Sequence, residues 1–125
     1  MINKELVEQI HNKLITEFGG AHGTRDLAGL EAAIARPYAT FGGASLYPAP
    51  EDKAAAVLES IVINHPFIDG NKRTAYALSR IFLLLDDFDI EASQEEKYEM
   101  VIQASRGDIR FEEIKLWIKA RLIER

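Results

Sequence analysis

The chain has 125 residues, 47% of them hydrophobic and 28% charged. That balance excludes a disordered tail and suits one domain, residues 1–125, with surface enough to bury a core of its own. With no cysteine, disulfides, iron–sulfur clusters, zinc–thiolate sites and cysteine nucleophiles are all excluded. Fifteen basic against twenty acidic residues give a net charge of −5, which argues against nucleic acid as a direct partner. The N-terminus has no apolar signal core, and the aliphatic run at Ile81–Leu85 is too short for a bilayer. A cytoplasmic protein with no membrane contact is expected.

The pattern reads as all-α, a compact bundle of about six helices. Leu6, Val7, Ile10, Leu14, Ile15 and Phe18 form a stripe at helical spacing, opened by Asn3 as N-cap and closed by Gly19-Gly20. His11 falls at the edge of that stripe and is expected at or near the surface. His22 sits in a glycine-containing turn and receives no role. A second helix spans about Asp26–Arg36, with Leu27, Leu30 and Ile34 inward and Pro37 against continuation.

Residues 37–50, PYATFGGASLYPAP, are too rich in proline and glycine for a helix. Tyr38, Phe41 and Tyr47 around Gly42-Gly43 suggest a flap or hairpin, and an ordinary connector and a binding loop are both open here. A third helix starts near Pro50 and ends at Asn64 or His65, because Pro66 drives His65 from helical geometry. A fourth runs from about Asn71 to Leu85 and is apolar on most sides, which predicts the central helix. Seven acids and one base between Asp86 and Glu99 make a local charge of −6, read first as a solvated face. Ser93 with Glu96 forms a capping box for a fifth helix ending near Gly107. Phe111, Ile114, Trp117, Ile118 and Leu122 mark a sixth, with Trp117 in the core.

The chemistry concentrates in His65–Thr74, HPFIDGNKRT. Gly70, Asn71, Lys72 and Arg73 fall where a helix begins, and the first N–H groups of a helix lie unpaired at its positive end. Lys72 and Arg73 add full charge, Arg73 with two-point geometry. Asp69 beside an anion site is favourable when Mg²⁺ lies between carboxylate and phosphate. Histidine is the side chain suited to general-base work at neutral pH, which selects His65. Taken singly, each residue has an ordinary use: a structural histidine, a turn, a cap, solvated cations. The joint spacing carries the functional reading. It is not a Walker loop.

HPFIDGNKR resembles the Fic/Doc (Fido) signature H-x-F-x-[DE]-G-N-x-R, matched at His65, Phe67, Asp69, Gly70, Asn71 and Arg73. GTRDLAGLEAAIARP resembles the upstream segment of the family's death-on-curing (Doc) toxin branch. The resemblance implies a helical fold with the signature loop between two central helices and a flap over the active site. It implies His65 as the base acting on a target hydroxyl and Asp69 as the Mg²⁺ ligand. Gly70, Asn71, Lys72 and Arg73 would hold the phosphates of ATP, and Phe67 would anchor the loop. Adenylyl-transferring members usually carry glycine where this chain has Lys72, and often arginine where it has Tyr76. Those departures imply phosphorylation of a translation factor such as elongation factor Tu, with a Phd-like antitoxin as partner, since no [ST]-x-x-x-E-[GN] inhibitory motif occurs. Adenylylation and a catalytically weak protein-binding module are the alternatives. Arg25, Asp26 and Arg36 match the upstream pattern, and both tethering the flap and touching a substrate fit them.

Overall fold

The computed structural model describes residues 1–125. Six helices carry the fold: α1 (Lys4–Phe18), α2 (Leu27–Ala35), α3 (Pro50–Asn64), α4 (Asn71–Leu85), α5 (Gln94–Arg106) and α6 (Phe111–Ala120). A 3₁₀ turn, Arg36–Tyr38, follows α2. Strands β1 (Thr40–Phe41) and β2 (Ala44–Ser45) form one antiparallel pair, and β3 (Phe88–Ile90) and β4 (Leu122–Glu124) form another. The all-helical expectation holds, with two small ribbons added. No helix is long and apolar enough to cross a membrane.

Local chemistry explains most boundaries. The Asn3 side chain accepts from Leu6 N–H and Asp26 accepts from Gly29 N–H, each closing a helix start. Ser93 and Glu96 complete a reciprocal capping box on α5. Gly42 and Gly43 both have positive φ, as a two-residue hairpin turn between β1 and β2 requires. Phe41 at the tip of this flap is 80% exposed. The base of the flap is anchored: Tyr47 accepts a hydrogen bond from Arg36 Nε at 2.8 Å and packs edge-on against Phe111. Arg36 is thus a tether of the flap.

The central helix is α3, not α4. Nine consecutive residues, Ala54 to Val62, are buried, and α2, α4, α5 and α6 all pack on α3. Its alanines let α4 approach closely, and Ser79 Oγ on α4 donates to the Ala54 carbonyl at 3.0 Å. The α4 helix keeps a solvent face that includes Lys72, Arg73, Arg80 and Leu85. Hydrophobicity on most sides of α4 misled the sequence reading because alanine and serine, which allow close packing, score low. Trp117 is only half-buried and lies under the Arg121 guanidinium, 4.2 Å from the ring centre.

Two buried carboxylates tie the periphery to this core. Glu59 accepts from Arg36 Nη1 at 2.8 Å, Arg110 Nε at 2.9 Å and Phe111 N–H at 2.7 Å. Burial alone would raise the Glu59 carboxyl, but the Arg36 and Arg110 hydrogen bonds override it and hold it below the usual carboxylate value. Asp89 on β3 receives both Arg80 Nε and Nη2 at 2.9 Å, and Arg125 as well. The Arg80 guanidinium, opposed by burial, holds Asp89 far below the usual range, and the Ile90 N–H and Arg125 add to the effect. The −6 block is therefore not a uniform solvated face: Asp89 is interior and Glu96 caps α5 and pairs with Arg121. The sixth helix stops at Ala120, and Leu122 instead pairs with Ile90 across the β3–β4 ribbon.

Both carboxylates have native values below their unfolded ones. Their stabilisation is complete above the unfolded carboxylate range, about pH 4, and is lost as pH falls through the native values. The urea midpoint of unfolding is expected to drop on acidification from about pH 5 to about pH 2. Asp89→Asn should lower the midpoint at pH 7 and flatten that drop. An equal acid dependence in the variant would show that Asp89 does not supply it.

Candidate active site

The loop joining α3 to α4 turns through two left-handed residues. His65 closes α3 at φ 48°, ψ 55°, and Gly70 opens α4 at φ 74°, ψ 21°. A side chain in that region costs on the order of 1 kcal/mol, a penalty that glycine escapes. A Cβ on Gly70 would also come within 2.9 Å of the Ile15 side chain.

Between these residues the loop is bound on both flanks. Phe67 is 1% exposed and stacks on the His11 imidazole, with ring centres 3.9 Å apart and planes 5° from parallel. His11 Nε2 donates to the Asp69 carbonyl at 2.7 Å. His11 is therefore buried against the loop, not at the surface as its place on the helical stripe suggests. On the other flank, the residues before α2 run beside the loop. Arg25 N–H and Asp26 N–H donate to the Pro66 carbonyl at 2.7 and 3.0 Å, and Ile68 N–H donates to Gly23 at 3.0 Å. Asn71 closes the loop from within: its Oδ1 accepts from Phe67 N–H at 2.9 Å and its Nδ2 donates to the Phe67 carbonyl at 3.0 Å. Both polar atoms of the Asn71 side chain are engaged, so its duty is to shape the loop, and its backbone N–H is what remains for a ligand.

The expected site residues converge in part. Asp69, Gly70, Asn71, Lys72 and Arg73 line an open cleft of about 410 Å³. The backbone N–H groups of Asn71, Lys72 and Arg73 make no hydrogen bond within the protein, as the first turn of a helix dictates. Lys72 and Arg73 are exposed, and the Arg73 guanidinium lies over the Phe18 ring at 4.3 Å. His65 is exposed at the opposite end of the loop and does not line the cleft. His22 contacts Asn12 and does not line the cleft.

The far wall of the cleft is α5, through Gln94, Lys97 and Tyr98, with Tyr76 of α4 between. The Tyr76 hydroxyl is buried without a partner, and burial holds its phenol above the usual value, with Arg80 opposing and Asp89 reinforcing. Lys97 Nζ lies 5.8 Å from the Tyr76 ring centre. The α5 wall was missed from sequence because nothing local marks residues brought there by helix docking.

The donors present suit Mg²⁺ bound with a phosphorylated substrate. No three His, Asp or Glu side chains cluster as a full metal cage. Asp69 supplies one exposed carboxylate beside unpaired N–H groups and two cations, and Mg²⁺ commonly takes one protein carboxylate plus substrate phosphates.

The family model for the Fic/DOC family matches residues 1–83. The chain belongs to that family. A protein of Mycolicibacterium smegmatis named Toxin Doc is 46% identical over 84 residues, which cover 62% of this chain and 65% of that protein. The match spans slightly less than two-thirds of the relative's length. The Fic/DOC match takes in the whole loop from His65 to Arg73, whereas the α5 wall of the cleft lies beyond the residues matched.

Asn71→Ala removes both bonds to Phe67 and leaves two backbone groups short of partners. It should destabilise the fold by about 2 kcal/mol, read as a lowered urea midpoint at unchanged slope.

Proposed function

We propose that this chain is a Doc-like toxin of a type II toxin–antitoxin system, a transferase that moves the γ-phosphoryl group of ATP to a hydroxyl of a target protein. A translation factor such as elongation factor Tu is the proposed target, so that translation stops, and a Phd-like antitoxin is the proposed restraint. The observation that carries the reading is the start of α4. There, Lys72 and Arg73 flank three unpaired N–H groups over a cleft holding one carboxylate, Asp69.

In this mechanism the target oxygen attacks the γ-phosphorus and a new O–P bond forms. The bond to the oxygen bridging the β and γ phosphorus atoms breaks, ADP leaves, and the hydroxyl proton passes to the His65 imidazole. The free N–H groups and the Arg73 guanidinium receive phosphate oxygens, drawing on the positive end of α4. Asp69 would hold Mg²⁺, which when bound offsets phosphate charge. The Lys72 ammonium occupies the space that a glycine leaves to phosphate, which favours placing the terminal phosphate at the transfer position. Tyr76 lines the cleft with a neutral ring, its hydroxyl buried, where an arginine would offer charge.

Incubation of the chain and candidate targets with ATP labelled at either the α or the γ position tests the reading. Label should move from the γ position only; transfer from the α position would establish adenylylation instead. His65→Ala should lower transfer at least about a hundredfold and relieve growth inhibition. Unchanged toxicity in that variant would favour a binding module. Lys72→Gly should slow γ-transfer while leaving the fold intact.

A further inference from the structure

We propose that Arg25 is the positioning residue for His65. The inference rests on His65 being the base of the transfer reaction. His65 is not a glycine, yet it holds a left-handed conformation at the last turn of α3, followed by Pro66. Left-handed backbone at a residue bearing a side chain persists where surrounding contacts over-determine it. Here those contacts come from one short segment. The Arg25 guanidinium donates to the His65 carbonyl from Nη2 at 2.6 Å and from Nε at 3.2 Å. Its backbone N–H, with that of Asp26, takes the next carbonyl, Pro66.

These carbonyls belong to the end of α3, where acceptors lack helical partners and the dipole is negative. A guanidinium matches that need in both hydrogen bonding and charge. A two-point contact on one oxygen fixes the rotation of the His65 peptide, and with it the direction of the bond to the imidazole. The imidazole itself forms no hydrogen bond in the protein, so no hydrogen bond of its own orients it. Arg25 is exposed and makes no ion pair; its Nη2 also reaches the Asn64 carbonyl at the longer distance of 3.5 Å, while the Asn64 side chain donates to the Gly29 carbonyl. Arg25 therefore acts on His65 geometry more than on the core.

The test compares Arg25→Ala and Arg25→Lys in the full chain. The first readout needs no activity: the backbone carbon chemical shifts of His65, which report left-handed conformation. The second is steady-state transfer from ATP to the target. In Arg25→Ala the His65 shifts should move toward ordinary loop values. The kcat should fall about ten- to a hundredfold with KM for ATP within about twofold. Lysine, which keeps one donor and the charge, should restore part of both. Native His65 shifts in Arg25→Ala overturn the proposal, whatever the rates. A shift change with unaltered kcat overturns it too, as does an equal fall for alanine and lysine. If the wild-type chain transfers nothing, the transferase reading falls, and the His65 shifts alone decide whether Arg25 sets that geometry.

Discussion

The side chain of Asn71 pairs with both backbone groups of Phe67, and the site depends on that pairing. A chain leaving α3 must reverse and re-enter as α4 within six residues, while α3 and α4 stay packed along their lengths. Such a loop has few ways to satisfy its own N–H and C=O groups. Asn71 acts as a peptide-like partner at 2.9 and 3.0 Å, donor to acceptor and acceptor to donor. A side-chain amide carries a donor and an acceptor side by side, as a peptide group does, and can do both at once. Because it also occupies the first position of α4, the same residue that closes the loop fixes where the unpaired N–H groups begin.

Packing then carries this local constraint to the rest of the molecule. Phe67, held at its backbone by Asn71, puts its ring on His11, and His11 in turn takes the Asp69 carbonyl. The loop is thus referenced to α1 through an apolar stack and a hydrogen bond, and to the segment before α2 through Pro66 and Ile68. The α3 helix is fixed elsewhere by Glu59, which draws the 3₁₀ turn and the start of α6 onto its buried middle. Its ion pairs are compensated on all sides, so the buried charge orients neighbours without leaving an unpaired cost. The cleft is therefore built on well-packed pieces, whereas the flap tip at Phe41 is exposed and does not line it.

Much of this was legible in sequence because the signals are local. Asn3, Asp26, Ser93 with Glu96, and Gly107 mark helix ends through contacts three or four residues apart. The run from His65 to Arg73 was legible for the same reason: its chemistry is contiguous. What stayed hidden is non-local. The β3–β4 ribbon pairs Phe88 with Glu124 across 36 positions, and no periodicity announces it. His11 looks like a residue at the edge of a stripe until Phe67, 56 positions away, stacks on it. Tyr98 and Lys97 become cleft wall only when α5 docks beside α4. The centrality of α3 was obscured by alanine, whose small size matters through what it allows to approach.

The two left-handed residues at the loop's ends make opposite choices, and the contrast is informative. At Gly70 the backbone turns without a side chain; a Cβ there would meet Ile15 and crowd the place where the unpaired N–H groups open. The conformation costs little, and close approach to a ligand is kept. At His65 the same conformation is adopted by a residue that keeps its side chain, with proline next in sequence. Glycine there would relieve the strain, so the imidazole is retained against a local cost. A strained residue needs neighbours that make the alternatives worse, and the guanidinium of Arg25 is placed to do this from outside the loop. Where the backbone itself would bind, the chain has removed the side chain. Where the side chain would act, the chain has kept it and recruited a second residue to hold the backbone beneath it.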